Sequence, residues 1–306
     1  MEGALERLRW GYALTGSMGK SRRVIMRMAA AGDERMLNAR LAEVIKVAGS
    51  ANMYWALTEL PALSTRLDDA CREDAAYLYE QAPELERLRK GPFVQADWDR
   101  FVARLTDPQG FLPEGETAYN VTPRTAEERK AVTEKALAEA LPRAKEWMGA
   151  AAAGKSDGEV LARYLTGTFD ERVAETVRWT AVPFAEAHRE LRAARTAAGA
   201  AADREANFLL PLGPGSDDTA YGILARADRG VAMMRLVEAV RDYAARHDGR
   251  LPETLAAITL LPVPVDPMTG TAFGYAVAGD GVTLSAGAPE GMAARYAESW
   301  RVRISK

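Results

Sequence analysis

Apolar residues recur every three or four positions through most of the first 200 residues, the spacing of one buried helical face. Residues 2–48 read as helix in two or three pieces. Met36, Leu37, Leu41, Val44, Ile45 and Ala48 form the clearest stripe. Gly32-Asp33 reads as a break and an N-cap before it. Asn52 is placed to cap a short aromatic helix that Pro61 ends. Residues 62–90 are amphipathic again, with Pro83 interrupting. Trp98, Phe101, Val102 and Leu105 mark the next helix. Residues 107–123 carry three prolines and two glycines with no period, so they predict a loop. Thr125-Ala-Glu-Glu128 then predicts a capping box opening a strong helix in which Pro142 is a kink or restart. Residues 157–198 read as two helices, the second capped by Asp170 and interrupted at Pro183.

Beyond a Leu-Pro-Leu-Gly-Pro-Gly linker the pattern changes. Ile223, Ala227, Val231, Met234, Val237, Val240 and Ala244 form one seam along a helix of about thirty residues opened by Asp217 or Asp218. Gly249 suits its C-terminal turn. Leu251 to Leu255 is compatible with one helical turn, and Pro262, Pro264 and Pro267 exclude a central strand. A period of two follows on both sides of Gly279-Asp280-Gly281, a hairpin turn, and returns at Trp300, Val302 and Ile304. The expected fold is mainly α: an irregular multi-helix domain over 1–205, then, over 217–306, a long helix with a small antiparallel β-sheet.

Composition narrows the function more than it defines one. A 306-residue chain, 48% hydrophobic and 27% charged, can bury a sizeable core. Its net charge of −3, with the two signs interspersed, argues against nucleic acid as a partner. Cys71 is the single cysteine, so neither an internal disulfide nor a thiolate metal cage can form. His188 and His247 are the only histidines, which weighs against zinc hydrolases. No apolar run is long enough for a transmembrane helix. The first ten residues are charged at helical spacing and lack the apolar core of a signal peptide. The expected location is the cytoplasm if the chain is complete, or outside it if an upstream signal was removed from a longer precursor.

Four groups of residues invite a chemical reading. Gly16-Ser-Met-Gly19-Lys20-Ser21 looks like the end of a phosphate loop, but Leu14 stands where its first glycine belongs and no strand precedes it. A helix–helix turn is the simpler reading. His188, His247-Asp248 and Asp266 loosely suggest a metal-dependent phosphohydrolase; two histidines are few for such a site, and His188, flanked by charges, reads as a surface residue. Cys71 follows two aspartates, which raise a thiol pKa, so it reads as inert. Tyr54, Trp55 and Tyr77 form an aromatic group that is either a ligand-stacking site beneath the 107–123 loop or helical core. No cofactor, metal or catalytic residue is expected.

The C-terminal stretch from about 217 to 290 resembles the globular half of type II secretion major pseudopilins. The likeness rests on the order of the long helix, Gly249-Arg250-Leu251-Pro252, Leu255, Val265-Asp266-Pro267, Gly270, Phe273-Gly-Tyr275 and the Gly279–Gly281 turn. It implies a long helix packed on a small antiparallel sheet. The apolar polymerising N-terminal helix of that family has no counterpart here. Gly287-Ala-Pro-Glu290-Gly-Met stands where the family holds calcium, with one carboxylate where several are needed. Together with Asn52-Met-Tyr-Trp-Ala-Leu-Thr-Glu-Leu-Pro61, the chain also resembles helical bacterial envelope proteins that carry such a tail and an export signal. The expected function is a non-catalytic scaffold or protein-interaction protein of the bacterial envelope, with unknown protein partners. The alternatives are a small-ligand-binding helical module and a degenerate nucleotide or metal-dependent phosphohydrolase.

Overall fold

The computed structural model describes residues 2–47, 49–106, 125–197, 217–279 and 281–303. Among these, the helices are α1 (Glu2–Gly19), α2 (Val24–Ile45), α3 (Tyr54–Thr58), α4 (Leu67–Gln81), α5 (Pro83–Lys90), α6 (Gln95–Thr106), α7 (Ala126–Met148), α8 (Asp157–Thr180), α9 (Phe184–Ala197) and α10 (Asp217–Arg246). One antiparallel sheet follows, in the order β1 (Gly274–Ala278), β2 (Gly281–Ala286), β3 (Glu298–Arg303). The fold is thus mainly α with a small three-stranded sheet, as the periodicities predict. The 107–123 loop, the 199–216 linker, Asp280 and Ile304 lie outside the described residues.

Compactness divides the chain differently from its order in sequence. One unit comprises Met1–Ala70, Trp179–Leu191 and Ser216–Lys306; the other comprises Cys71–Arg178 and Arg192–Gly215. The first seventy residues belong with the C-terminal helix and sheet, because α2 and α3 bury their inner faces on α10.

In the first unit α10 is the central element. Met233, Leu236, Ala239 and Val240 are inaccessible to solvent, and they share a core with Leu41, Ile45, Tyr54, Phe273, Val282 and Leu284. In β2, buried Val282, Leu284 and Ala286 alternate with the less buried Thr283 and Ser285, so one face of the sheet is turned to that core. Val302 and Trp300 of β3 stand opposite Val282 and Leu284. Helix α10 ends where Asp248 and Gly249 both adopt positive φ and the Gly249 amide donates to the Ala244 carbonyl. The segment around the three prolines forms only an isolated bridge, Val265 to Ala272, in keeping with their missing donors.

In the second unit Leu85, Leu88, Phe101, Val160, Leu165 and Phe169 form the core. Pro83 begins α5 at a position where its absent N–H is no loss. Thr125 and Glu128 make the reciprocal capping box. Helix α7 runs through Pro142 without ending.

Two predicted helix starts do not occur. Helix α2 continues through Gly32-Asp33, where Ala30 and Ala31 are fully buried. Tertiary burial offsets the cost of about 1 kcal/mol for a mid-helix glycine. Helix α8 likewise runs through Asp170 to Thr180. The Asp170 carboxylate accepts from the Tyr79 hydroxyl at 2.7 Å and from Arg89 at 3.2 Å instead of capping backbone.

Candidate functional site

The buried face of α2 steps by threes and fours through Val24, Arg27, Ala31, Glu34, Asn38, Leu41 and Ile45. Three of these seven side chains are polar or charged. The apolar stripe sought in the sequence lies partly elsewhere, since Met36 is exposed. Polar residues occupy positions where a helix seam is normally apolar, so each requires a partner or a reason.

Arg27 has partners. Its guanidinium donates to the carbonyls of Ser21 (2.8 Å), Thr65 (2.9 Å) and Arg66 (3.0 Å). Asn38 is half-satisfied. Its Oδ1 accepts from the Tyr12 hydroxyl at 2.6 Å, while Nδ2 has no acceptor among the described residues. Glu34, 3% exposed, leaves Oε1 without a donor among them. Burial, with the Asp228 carboxylate adding repulsion, pushes the Glu34 carboxyl up to about 8. Burial also raises Asp228, against the amides of Leu63 (2.7 Å) and Ser64 (3.1 Å), which donate to it and favour its charged form.

Asn38 opens onto a groove of about 820 Å³ between α2, α10 and β3. Arg35, Asn38, Ala39 and Ala42 line it from one face of α2, and Arg226, Gly230, Met234, Val237 and Arg241 from one face of α10. Gly230 permits this approach: a Cβ there would stand 3.1 Å from Asn38 Nδ2. The third wall is β3, represented by the consecutive residues Trp300, Arg301, Val302 and Arg303. A strand face contributes every second residue, so a consecutive set places the groove along the edge of the strand. β3 is an outer strand of the sheet, and that edge carries the backbone groups β2 does not use. The floor is apolar, with Ile45, Met234 and Val237. The rim holds six cationic side chains and a single carboxylate, Glu298. Arg226 pairs with Glu298 at 2.8 Å and Arg241 with Glu238 at 2.8 Å. Arg35 and Arg301 have no carboxylate partner among the described residues.

The residues singled out in the sequence are placed otherwise. Tyr54 is fully buried; its hydroxyl donates to the Pro262 carbonyl and accepts from Arg235 at 3.1 Å. Trp55 is 61% exposed beside it, with ring centroids 5.2 Å apart. Tyr77 belongs to the other unit. Tyr54 is thus a core residue that anchors α3, and its ring has no open face for stacking. Gly16 and Gly19 lie in the last turns of α1, which turns into α2 by Val24, so no strand presents a phosphate cradle there. Gly16, Ser17 and Lys20 line a separate, largely apolar groove of about 920 Å³ against α3. His188 is buried rather than on the surface. Its Nδ1 lies 3.2 Å from the Phe184 carbonyl and its ring stacks on Phe184. His247 is exposed and stacks on Tyr243. Cys71 is a buried free thiol. Among the described residues no three His, Cys, Asp or Glu side chains converge as metal ligands, and Glu290 pairs with Arg189 at 2.9 Å. Asp266 is engaged too: both its oxygens accept from Arg229, at 2.8 and 2.7 Å.

Sequence reasoning missed the α2–α10–β3 groove. A usable signal was present: Arg27, Glu34 and Asn38 repeat at the seven- and four-residue spacing of a helix seam. No family model, curated protein or solved structure matches the chain.

Proposed function

We propose that the chain is a non-catalytic protein-interaction protein of the bacterial envelope, and that its first unit binds an extended polypeptide. The observation that carries this is the groove running along the outer edge of β3, with an apolar floor of α2 and α10 beneath it. Strand addition uses main-chain hydrogen bonds for affinity and flanking pockets for side chains. A six-residue edge strand, at about 3.3 Å per residue, offers about 20 Å of backbone to such a partner. The envelope setting rests on the sequence resemblance to pseudopilin tails and to exported helical proteins. The order of α10 and the three-stranded antiparallel sheet is compatible with that resemblance.

Peptides selected from an unbiased displayed library of 12-residue sequences against the full chain test this reading. Hydrogen exchange is then followed with each selected peptide added. Slowed exchange of the β3 amides is the expected result. Selected peptides that leave β3 unprotected would sink the proposal. Fractionation of the native host addresses the envelope part separately; recovery only from the cytosol would remove it.

A further inference from the structure

The groove has a chemical preference that its shape alone does not dictate, and it rests on the polypeptide-binding reading above. Three observations converge on it. Of the cations lining the groove, Lys46, Arg226 and Arg241 pair with Glu43, Glu298 and Glu238, whereas Arg35 and Arg301 have no carboxylate partner among the described residues. Asn38, only 6% exposed, lines the groove with an N–H donor that has no acceptor among them. Tyr12 holds the other end of that amide, its hydroxyl donating to Oδ1 at 2.6 Å.

We propose that the groove takes an acidic extended segment of a partner protein as a fourth strand on β3, one of its side-chain carboxylates accepting from Asn38 Nδ2. Carboxylates on the helix-facing side of such a strand would lie near Arg35 and Asn38, and those on its other side beside Arg301. Apolar side chains on the helix-facing side would meet Met234, Val237 and Trp300. A second copy of this chain is the weaker occupant. Antiparallel pairing of two β3 strands would bring Arg301 and Arg303 of each copy together, a like-charge contact that opposes association.

The test compares acidic, neutral and basic alternating 12-residue peptides, and decanoate as a small amphipathic carboxylate, on the full chain. Binding is read by fluorescence anisotropy or competition, and contact by exchange of the β3 amides. The acidic peptide is expected to bind at least about tenfold more tightly than the basic one, and to weaken as salt rises past the range where surface charges are screened. Arg35→Glu and Arg301→Glu change exposed side chains and keep the core, so they are expected to remove that preference in a folded protein. Asn38→Asp keeps an acceptor for Tyr12 but replaces the donor, and is expected to lower acidic-peptide affinity further. Equal binding of acidic and basic peptides, with β3 still protected, would overturn the acidic preference and leave the strand-addition reading standing. Protection by no peptide would overturn both. Decanoate displacing the acidic peptide and binding more tightly than it would reassign the groove to a small amphiphile. Protection of β3 that follows protein concentration without peptide would reassign it to self-association.

Discussion

Two buried polar clusters flank the same turn of α10, and they are built on opposite terms. Arg229 and Asp266, both essentially inaccessible, form a bidentate pair at 2.8 and 2.7 Å. Arg229 also donates to the carbonyls of Tyr296 and Gly287, and Asp266 accepts from the Met268 amide and the Thr269 hydroxyl at 2.9 Å each. Every charge there is met, and the network ties the long helix to the proline-rich corner and to the segment before β3. On the other side, Glu34, Asn38 and Asp228 bring two carboxylates close enough to repel each other. They leave Glu34 Oε1 and Asn38 Nδ2 without partners among the described residues. The contrast shows how a buried polar group can be read: complete satisfaction marks a structural clamp, and incomplete satisfaction beside a groove marks a place to look for a ligand.

The sharpest challenge to this contrast is removal of one member of the clamp. Asp266→Ala leaves Arg229 charged and buried without its counter-ion, and is expected to destabilise the protein by about 3–5 kcal/mol in urea unfolding. A paired replacement, Arg229→Met with Asp266→Leu, should recover much of that loss. If the single substitution costs under about 1 kcal/mol, the clamp is not what holds the corner.

The second cluster should respond in the opposite direction. The Glu34 carboxyl titrates near 8 in the folded state, above its ordinary value of 4.5. Its contribution is therefore fully present below about pH 4.5 and is lost as pH rises through 8, where the folded protein must accept the buried charge. Unfolding free energy is expected to fall between pH 5 and pH 8. Glu34→Gln should flatten that fall and raise stability at pH 7 by up to about 3 kcal/mol. A stability curve whose slope is unchanged by the substitution would show that the cluster is better solvated than its burial implies.

Smaller effects separate anchoring from binding. Tyr54→Phe deletes a hydroxyl shared by the Pro262 carbonyl and Arg235, and is expected to lower stability by about 1–2 kcal/mol while leaving peptide affinity unchanged. Affinity falling with it would return Tyr54 to the binding site. Gly230→Ala adds helix propensity worth up to about 1 kcal/mol but crowds Asn38, so its net effect on thermal unfolding should stay below about 1 kcal/mol. Its expected signature is weaker acidic-peptide binding, because the new methyl would stand 3.1 Å from Asn38 Nδ2 and displace it.

The chain alone determined the class of fold and many of its joints. Thr125-Ala-Glu-Glu128 forms the capping box, Pro83 starts a helix, Asp217 opens the thirty-residue helix, and a hairpin and final strand follow. These features are local: caps, prolines and short periodicities act within a few residues and read directly from sequence. Gly32-Asp33 and Asp170 carry helix-start signals that did not prevail, since packing on distant residues offset a local preference of about 1 kcal/mol. The candidate site was the least legible part. Asn38, Gly230 and Trp300 are separated by almost 200 and 70 positions, and no local pattern links them. Glu34 and Asn38 look like an ordinary polar face until Asp228 and Gly230 of α10 approach them. Tyr54 and Trp55 are adjacent in sequence, yet one is core and the other surface. Which face of an amphipathic segment is buried, and which polar groups are left unmet there, depends on long-range contacts, and only the tertiary structure decided it.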